Sequence, residues 1–215
     1  MQTFGDTKAL VIERFDRKLT KDGRLIRVPQ EDCCQALSIP PTFKYQNEGG
    51  PGIVDIMKLL KGSDEPITDQ ISFFKSQILF WLSGATDGHA KNFSIFLNPG
   101  GSYRLTPLYD VLSAQPSVDA RHLEIKQMKL AMSVGSSRHY KIGEIQGRHF
   151  VQTGERSGLS KSIIHKIIQE LVQDALPALT RLESRLPDDF PEDIHTSVKA
   201  AFIKRLGILV RTGLE

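Results

Sequence analysis

The sequence predicts a mainly α-helical protein with a small β-hairpin, an α+β organisation. From residue 159 onward, apolar residues recur at steps of three and four, the spacing that places them on one face of a helix. A second helical run extends from Thr68 to Leu82. The strand-like segments are short, and the clearest pair is joined by the glycine-rich turn Asn98–Ser102.

The N-terminal part predicts a pair of short strands followed by short helices. Residues 9–12 are apolar and β-branched, which favours a strand, and residues 25–28 follow a turn as its return strand. The next predicted elements are a helix over 31–37, a break at 49–52 and a helix over 53–60.

The two long helical regions are predicted from their caps and prolines. Thr68 is a suitable N-cap for the helix that ends at Leu82, and its wide apolar face predicts burial on most sides. Near the C-terminus, Pro177 and Pro191 each suit the first turn of a new helix. We expect one compact unit, 1–215, with three parts: strands in 1–28, a helix, loop and hairpin in 68–112, and a helical bundle in 159–215.

Composition excludes several classes of protein. With 215 residues and a formal net charge of +3, the chain is long enough for a core but is not strongly basic. The N-terminus shows no signal peptide, and the longest apolar run, 71–85, is interrupted by polar residues and is too short to span a bilayer. Cys33 and Cys34 are adjacent, which is typical of reduced thiols. We therefore expect a cytoplasmic protein without membrane contact.

The segment after the helix at 68–82 carries the clearest chemical pattern. Asp87 and Asn92 stand five residues apart in a loop that leads into a strand. This spacing matches the catalytic loop of kinases, in which the Asp orients the substrate hydroxyl and the Asn holds a metal ion on the phosphates. An Asp-Gly before a strand is also a common turn, so the pair alone is a weak signal.

The hairpin that follows strengthens the kinase interpretation. Its strands, predicted at 93–97 and 103–105, fold back at the glycine turn, so Asn92 and Asp110 are expected at its open end. Carboxylate and amide oxygens suit Mg²⁺. Two roles remain open for His89, facing the phosphates or orienting Asp87 or Asp110, and Lys91 is also compatible with a solvated or packing charge.

Two central stretches, Ala85–Ser94 and Gly101–Asp110, closely resemble the HipA family of bacterial toxin serine/threonine kinases. Further stretches resemble the family in the same order along the chain: Glu13–Arg17, Pro29–Asp32, Lys44–Tyr45, Gly49–Gly52 and Leu186–Pro191. The resemblance implies the C-terminal, helical lobe of a protein-kinase-like fold.

The resemblance also implies roles for individual residues. Asp87 would be the catalytic base, and Asn92 and Asp110 would be the Mg²⁺ ligands. The implied ATP-binding residues are Glu13, Arg14, Phe15, His89, Ala90, Lys91, Asn92, Tyr109 and Asp110. Glu13, Arg14 and Phe15 would contact adenine through their backbone, although the residues alone predict an edge strand there.

The sequence departs from the family in one respect. No G-x-G-x-x-G or comparable phosphate loop precedes Asp87, and Pro51 removes an N–H that a phosphate cradle at 49–52 would need. We therefore expect the N-terminal ATP-gripping lobe to be absent from this chain and supplied by a separate chain, or else lost.

Three hypotheses follow. The first is a toxin kinase that needs an N-terminal lobe. For it, the resemblance implies a HipB-like DNA-binding antitoxin, indirect contact with DNA, and a protein substrate such as glutamyl-tRNA synthetase. The second is an inactive lobe that binds the antitoxin or target. The third rests on the D-x-H-x-x-N pattern around His89, which also resembles lipid-kinase-like loops, but the HipA matches are longer.

Overall fold

The computed structural model describes residues 2–214, apart from the side chain of Lys8. Nine short strands and seven helices follow one another in that range. The first half contains β1 (Gln2–Phe4), β2 (Thr7–Ala9), β3 (Arg17–Leu19), β4 (Leu25–Arg27), β5 (Gln30–Asp32), α1 (Cys33–Ala36), α2 (Ile53–Leu60), α3 (Pro66–Ser83), β6 (Ser94–Leu97) and β7 (Tyr103–Leu105). The second half contains α4 (Gln115–Asp119), β8 (Lys129–Val134), β9 (His139–Lys141), α5 (Gly147–Arg156), α6 (Lys161–Glu183) and α7 (Glu192–Gly213).

The strands form four small antiparallel sheets. The pairs β1–β2, β3–β4 and β8–β9 are separate hairpins, and β5–β6–β7 make a three-stranded sheet. In that sheet β6 lies in the middle, with Ile95 opposite Leu105 on one side and Glu31 on the other. The loop that carries Asp87 leads directly into β6, the middle strand of this sheet.

Helix α3 is the centre of the core. Phe73, Phe74, Ile78 and Trp81 on this helix are fully buried. Helices α2, α6 and α7 pack against it, and α5 fills the space between α6 and α7. The Trp81 indole packs against Phe150 of α5 with ring centroids 5.4 Å apart. The C-terminal helices and the loop after α3 are therefore parts of one core.

The structure confirms the α+β prediction and several elements. Helix α2 spans 53–60 as expected, and the hairpin β6–β7 turns at Asn98–Ser102. Helix α3 is longer than predicted: it begins at Pro66, with Glu65 rather than Thr68 as its N-cap. Proline needs no N–H partner in a first helical turn, so Pro66 is a better start than the threonine two residues later.

Two predicted elements are wrong. The strand at 9–12 is absent, because β2 ends at Ala9 and Leu10, Val11 and Ile12 are 66%, 51% and 70% exposed. β-Branched residues favour a strand only where a partner strand and a packing surface exist. Pro177 begins no helix but lies inside α6, whose buried Ala175 and packed Leu179 hold both halves against the same core.

Strands β5, β8 and β9 and helix α5 were not predicted from the sequence. β5 joins the predicted hairpin as a third strand, and the hairpin β8–β9 and helix α5 occupy a region without a prediction. The Ala131 N–H donates to the Thr86 carbonyl at 3.0 Å, which ties β8 to the residue before Asp87. Within residues 2–214, no helix is long and apolar enough to cross a membrane.

Candidate active site

The loop around Asp87 is shaped by two glycines. Helix α3 stops at Gly84, whose positive φ of 73° turns the chain away from the helix axis. A Cβ on Gly88 would lie 2.3 Å from the Phe80 ring, so only glycine lets the loop pack this closely on the helix. The two residues place Asp87 at the end of the buried helix.

Asp87 is exposed and oriented by a residue distant in sequence. Its side chain is 59% exposed, and its Oδ1 accepts a hydrogen bond of 2.7 Å from the Tyr45 hydroxyl. This bond to a carboxylate is the main cause that raises the pKa of Tyr45 to about 12. The phenol therefore stays protonated at neutral pH and keeps donating to Asp87.

His89 is buried beside the two acidic residues of interest. Its Nε2 lies 3.9 Å from Oδ2 of Asp87, and its ring meets the Tyr45 ring edge-on at 5.1 Å. Burial lowers the pKa of His89, while the charges of Asp87 and Asp110 act in the opposite direction. Within residues 2–214 its buried Nδ1 has no hydrogen-bond partner. The buried ring thus keeps one nitrogen free at the site.

Asn92 fixes the shape of the loop. The residue is 5% exposed, and its Nδ2 donates to the backbone carbonyl of Asp87 at 2.8 Å. Because the amide nitrogen is used in this way, the remaining polar atom of the side chain is its Oδ1, an oxygen that a hard cation can bind.

Asp110 adopts an uncommon backbone conformation. Its φ is 55°, a value that few residues other than glycine adopt and that costs free energy. The preceding Tyr109 is anchored: its hydroxyl is 2.5 Å from the Ser94 Oγ and donates to the Lys91 carbonyl at 2.8 Å. Burial raises the pKa of Tyr109 to about 12. The anchor holds Asp110 near the loop.

Six of the ten predicted site residues line one cavity of about 850 Å³: Glu13, Arg14, Phe15, Lys91, Tyr109 and Asp110. Phe15 packs against Phe96 and Tyr109, with ring centroids 5.7 and 5.8 Å apart. The Arg14 guanidinium forms a two-point ion pair with the buried Asp16, at 2.8 and 2.6 Å, and this bond lowers the pKa of Asp16. The segment 13–16 is thereby fixed along one wall.

Asp87 lies on a different cavity, of about 590 Å³, which Tyr45, Thr86 and the hairpin β8–β9 also line. Asp87 and Lys91, four residues apart in the same loop, thus border two different cavities. His89, Ala90 and Asn92 are buried and line neither. The predicted catalytic base and the predicted adenine-contacting segment therefore line different cavities.

The donor atoms suit the predicted Mg²⁺ ions. The Asp110 carboxylate is exposed to the larger cavity, and Asn92 offers an amide oxygen. Among residues 2–214 there is no cluster of three or more His, Cys, Asp or Glu side chains arranged for a metal. Both residues supply hard oxygen donors of the kind that Mg²⁺ prefers, and Mg²⁺ usually takes its other ligands from phosphates and water.

Tyr45 is the site residue whose role the sequence did not reveal. It stood out only as part of the resembling pair Lys44–Tyr45, without a function. It follows a short 3₁₀ turn, and 42 residues separate it from the carboxylate that it binds. No spacing rule predicts a contact over that distance.

Comparison with known proteins identifies the family of this chain. Residues 1–179 match the model of the HipA-like C-terminal domain. The chain belongs to this family. It is 34% identical over 174 residues to the putative kinase Y4mE of Sinorhizobium fredii, covering 80% of this chain and 39% of that protein. It is 27% identical over 203 residues to the serine/threonine-protein kinase toxin HipA of Shewanella oneidensis, covering 89% of this chain and 42% of the toxin.

The fold also resembles a solved member of the family. HipA of Shewanella oneidensis, in its complex with HipB and operator DNA, superposes with a TM-score of 0.76 at 23% identity. The superposition covers 93% of this chain and 47% of HipA. The chain therefore spans less than half of the length of these relatives, and at this identity the superposition shows the shared fold alone.

Proposed function

We propose that this chain is the catalytic-loop lobe of a HipA-type serine/threonine protein kinase, the toxin of a toxin–antitoxin pair. One observation carries the proposal: a single loop presents Asp87 to one cavity and Lys91 to another that also contains Asp110. In phosphoryl transfer the acceptor hydroxyl and the nucleotide approach the transferred phosphoryl group from opposite sides, and Asp87 and Lys91 would serve these two sides.

Asp87 would act on the acceptor. Its exposed carboxylate would accept a hydrogen bond from the incoming serine or threonine hydroxyl, orient that oxygen and take its proton. Tyr45 occupies Oδ1 and holds the carboxylate in one rotamer, which leaves Oδ2 for the acceptor. Asn92 would support the same geometry by fixing the Asp87 carbonyl.

The larger cavity would take ATP. Glu13, Arg14 and Phe15 form the wall for adenine, and Asn92 and Asp110 would hold Mg²⁺. The ion would neutralise phosphate charge. The buried His89, near both Asp87 and Asp110, would face the phosphates between them.

The partners follow from the family. The relatives are about twice as long as this chain, and we propose that an N-terminal kinase lobe completes the nucleotide site, from a separate chain or a longer form of this one. The complex of the Shewanella oneidensis protein supports a HipB-like DNA-binding antitoxin as partner, with DNA contacted through it. The substrate would be a protein such as glutamyl-tRNA synthetase.

Titration calorimetry with ATP, with and without Mg²⁺, tests the nucleotide site on the chain alone. We expect weak binding that Mg²⁺ strengthens and that Asp110→Asn reduces, because this change removes a charged ligand. Arg104→Ala is the control, since Arg104 pairs with Glu65 away from both cavities. Mg²⁺-independent binding would contradict the metal assignment.

Reconstitution with the N-terminal lobe tests catalysis. We expect phosphoryl transfer to appear, and Asp87→Asn to lower its rate by about 10²–10⁴-fold with little change in ATP affinity. If ATP binds but transfer stays absent with the complete lobe, the alternative applies: an inactive lobe that binds an antitoxin or target.

A further inference from the structure

The smaller cavity has an unusual distribution of charge. Three cationic side chains, Lys129, Arg138 and Lys141, project from the hairpin β8–β9 that forms one wall. Glu144 offsets one of them through a 2.9 Å bond to Lys141. Lys129 and Arg138 have no ion-pair partner within residues 2–214.

Two of the features that produce this positive charge destabilise the hairpin. Lys129 and Lys141 are directly opposite each other in the antiparallel register, and like charges in that position repel. Arg138 has a φ of 54°, a left-handed conformation for which glycine or asparagine would be the favourable residue. Both unfavourable features involve cationic residues, and both lie at the same cavity.

The hairpin is also fixed in relation to Asp87. Ala131 of β8 donates to the Thr86 carbonyl, one residue before Asp87. The Ser133 N–H and hydroxyl both donate to Oε1 of Gln46, at 2.7 and 2.8 Å, next to Tyr45. Lys129 lies two residues before Ala131, which is about 7 Å along a strand. Lys129 thus lies a few residues of extended peptide away from the carboxylate.

We propose that this cavity binds the acceptor segment, and that it selects a serine or threonine with acidic residues within about three positions of it. The proposal rests on the proposed function, because Asp87 defines the place of the hydroxyl. The acidic side chains would contact Lys129 and Arg138 on the hairpin wall.

A peptide fits this cavity better than a nucleic acid does. The opposite wall contains the carboxylates of Glu48 and Asp87. A nucleic acid carries a phosphate at every step and would bring some of them against these carboxylates. A peptide can place its hydroxyl at Asp87 and its acidic residues only at the cationic wall.

Fluorescence anisotropy tests the preference without any catalysis. The probes are three labelled heptapeptides with a central serine, flanked by glutamates, by glutamines or by lysines, at 0.15 M salt. We expect the glutamate peptide to bind best. The double variant Lys129→Ala with Arg138→Ala should lower the affinity for the glutamate peptide about tenfold and leave the affinity for the glutamine peptide unchanged. Lys126→Ala is the matched control, because Lys126 is an exposed cation outside the cavity.

Two further variants sharpen the test. Lys129→Glu with Arg138→Glu should reverse the preference toward the lysine peptide. Arg138→Gly should raise the melting temperature, because it relieves the strain of the left-handed backbone conformation. The same variant should still lower the affinity for the glutamate peptide. Equal affinity for the three peptides, or displacement of the glutamate peptide by an equimolar uridine decamer, would overturn the proposal.

The experiments distinguish a failure of the acceptor preference from a failure of the proposed function. A charge preference without ATP binding would contradict the proposed function alone. Transfer by the reconstituted kinase to glutamate and lysine peptides at equal rates would contradict the acceptor preference alone.

Discussion

The N-terminal segment 2–28 and the helical body 53–214 of the same chain are stabilised in different ways. The N-terminal segment consists of two separate hairpins with exposed apolar side chains, including Phe4 at 61% and Leu25 at 67% exposure. The helical body surrounds α3, where Phe73 and Trp81 are fully buried. The hairpins depend on local pairing and contribute one wall of a cavity, whereas the body supplies the core that positions Asp87.

The largest effect is expected from a core substitution. Trp81→Ala removes a fully buried indole and its 3.1 Å hydrogen bond to the Ile142 carbonyl. We expect a loss of about 3–5 kcal/mol in the free energy of unfolding, by urea denaturation. Ile12→Ala, at 70% exposure in the N-terminal segment, should change it by less than about 0.5 kcal/mol. Similar losses for the two variants would remove the distinction between the regions.

A matched pair of glycine substitutions tests helix packing within the body. A Cβ on Gly147 would lie 2.5 Å from the backbone nitrogen of Gly213, where α5 meets α7. Gly147→Ala should therefore destabilise the protein by about 1–3 kcal/mol. Gly207→Ala, inside α7 with no contact closer than 3.5 Å, should instead stabilise it by about 0.5–1 kcal/mol. Thermal melts of both variants decide the point, and a stabilised Gly147→Ala protein would contradict the close contact.

The body should also become less stable in mild acid. Burial, and the nearby His139 whose ring stacks at 3.9 Å, lower the pKa of His149 from 6.5 to about 4. The unfolded chain then binds a proton between pH 6.5 and 4 that the folded protein does not, so stability decreases as the pH falls through that range. His149→Gln should flatten the dependence of the melting temperature on pH. Segment 2–28 contains no histidine and so does not contribute to this effect. If the melting temperature of the His149→Gln protein depends on pH as the parent's does, the assignment is wrong.

A small change in stability is also expected at the loop itself. Tyr45→Phe removes a hydrogen bond to an exposed carboxylate and should cost less than about 1 kcal/mol. In the reconstituted kinase the same variant should lower the transfer rate more than the ATP affinity, because it frees the rotamer of Asp87. A transfer rate equal to that of the parent would show that Tyr45 does not position the base.

The sequence determined the local elements that have local causes. Helix α2, the hairpin β6–β7 and most of α3 follow from apolar spacing and a glycine turn, and their predictions are confirmed. The prediction of a helix starting at Pro177 was wrong, because propensity favoured a new start and the packing of Ala175 and Leu179 outweighed it.

Part of the candidate site was predictable in the same way. The order and spacing of Asp87, Asn92 and Asp110 are local properties of one loop and one hairpin, so the sequence could propose them together. Their catalytic and metal-binding roles remain predictions. The segment 13–15 entered through the resemblance alone, and the structure places it on the same cavity as Asp110.

Only the tertiary structure decided what reaches the loop from distant parts of the chain. The Tyr45 hydroxyl bonds to Asp87, which lies 42 residues later in the chain. Ala131 of β8, in the cationic hairpin, bonds to Thr86, which lies 45 residues earlier. Such contacts depend on how α2, α3 and α5 pack, which no period or spacing in the sequence encodes. Residue types and local periodicity determined which groups could do the chemistry, and the packing of the core determined which of them meet.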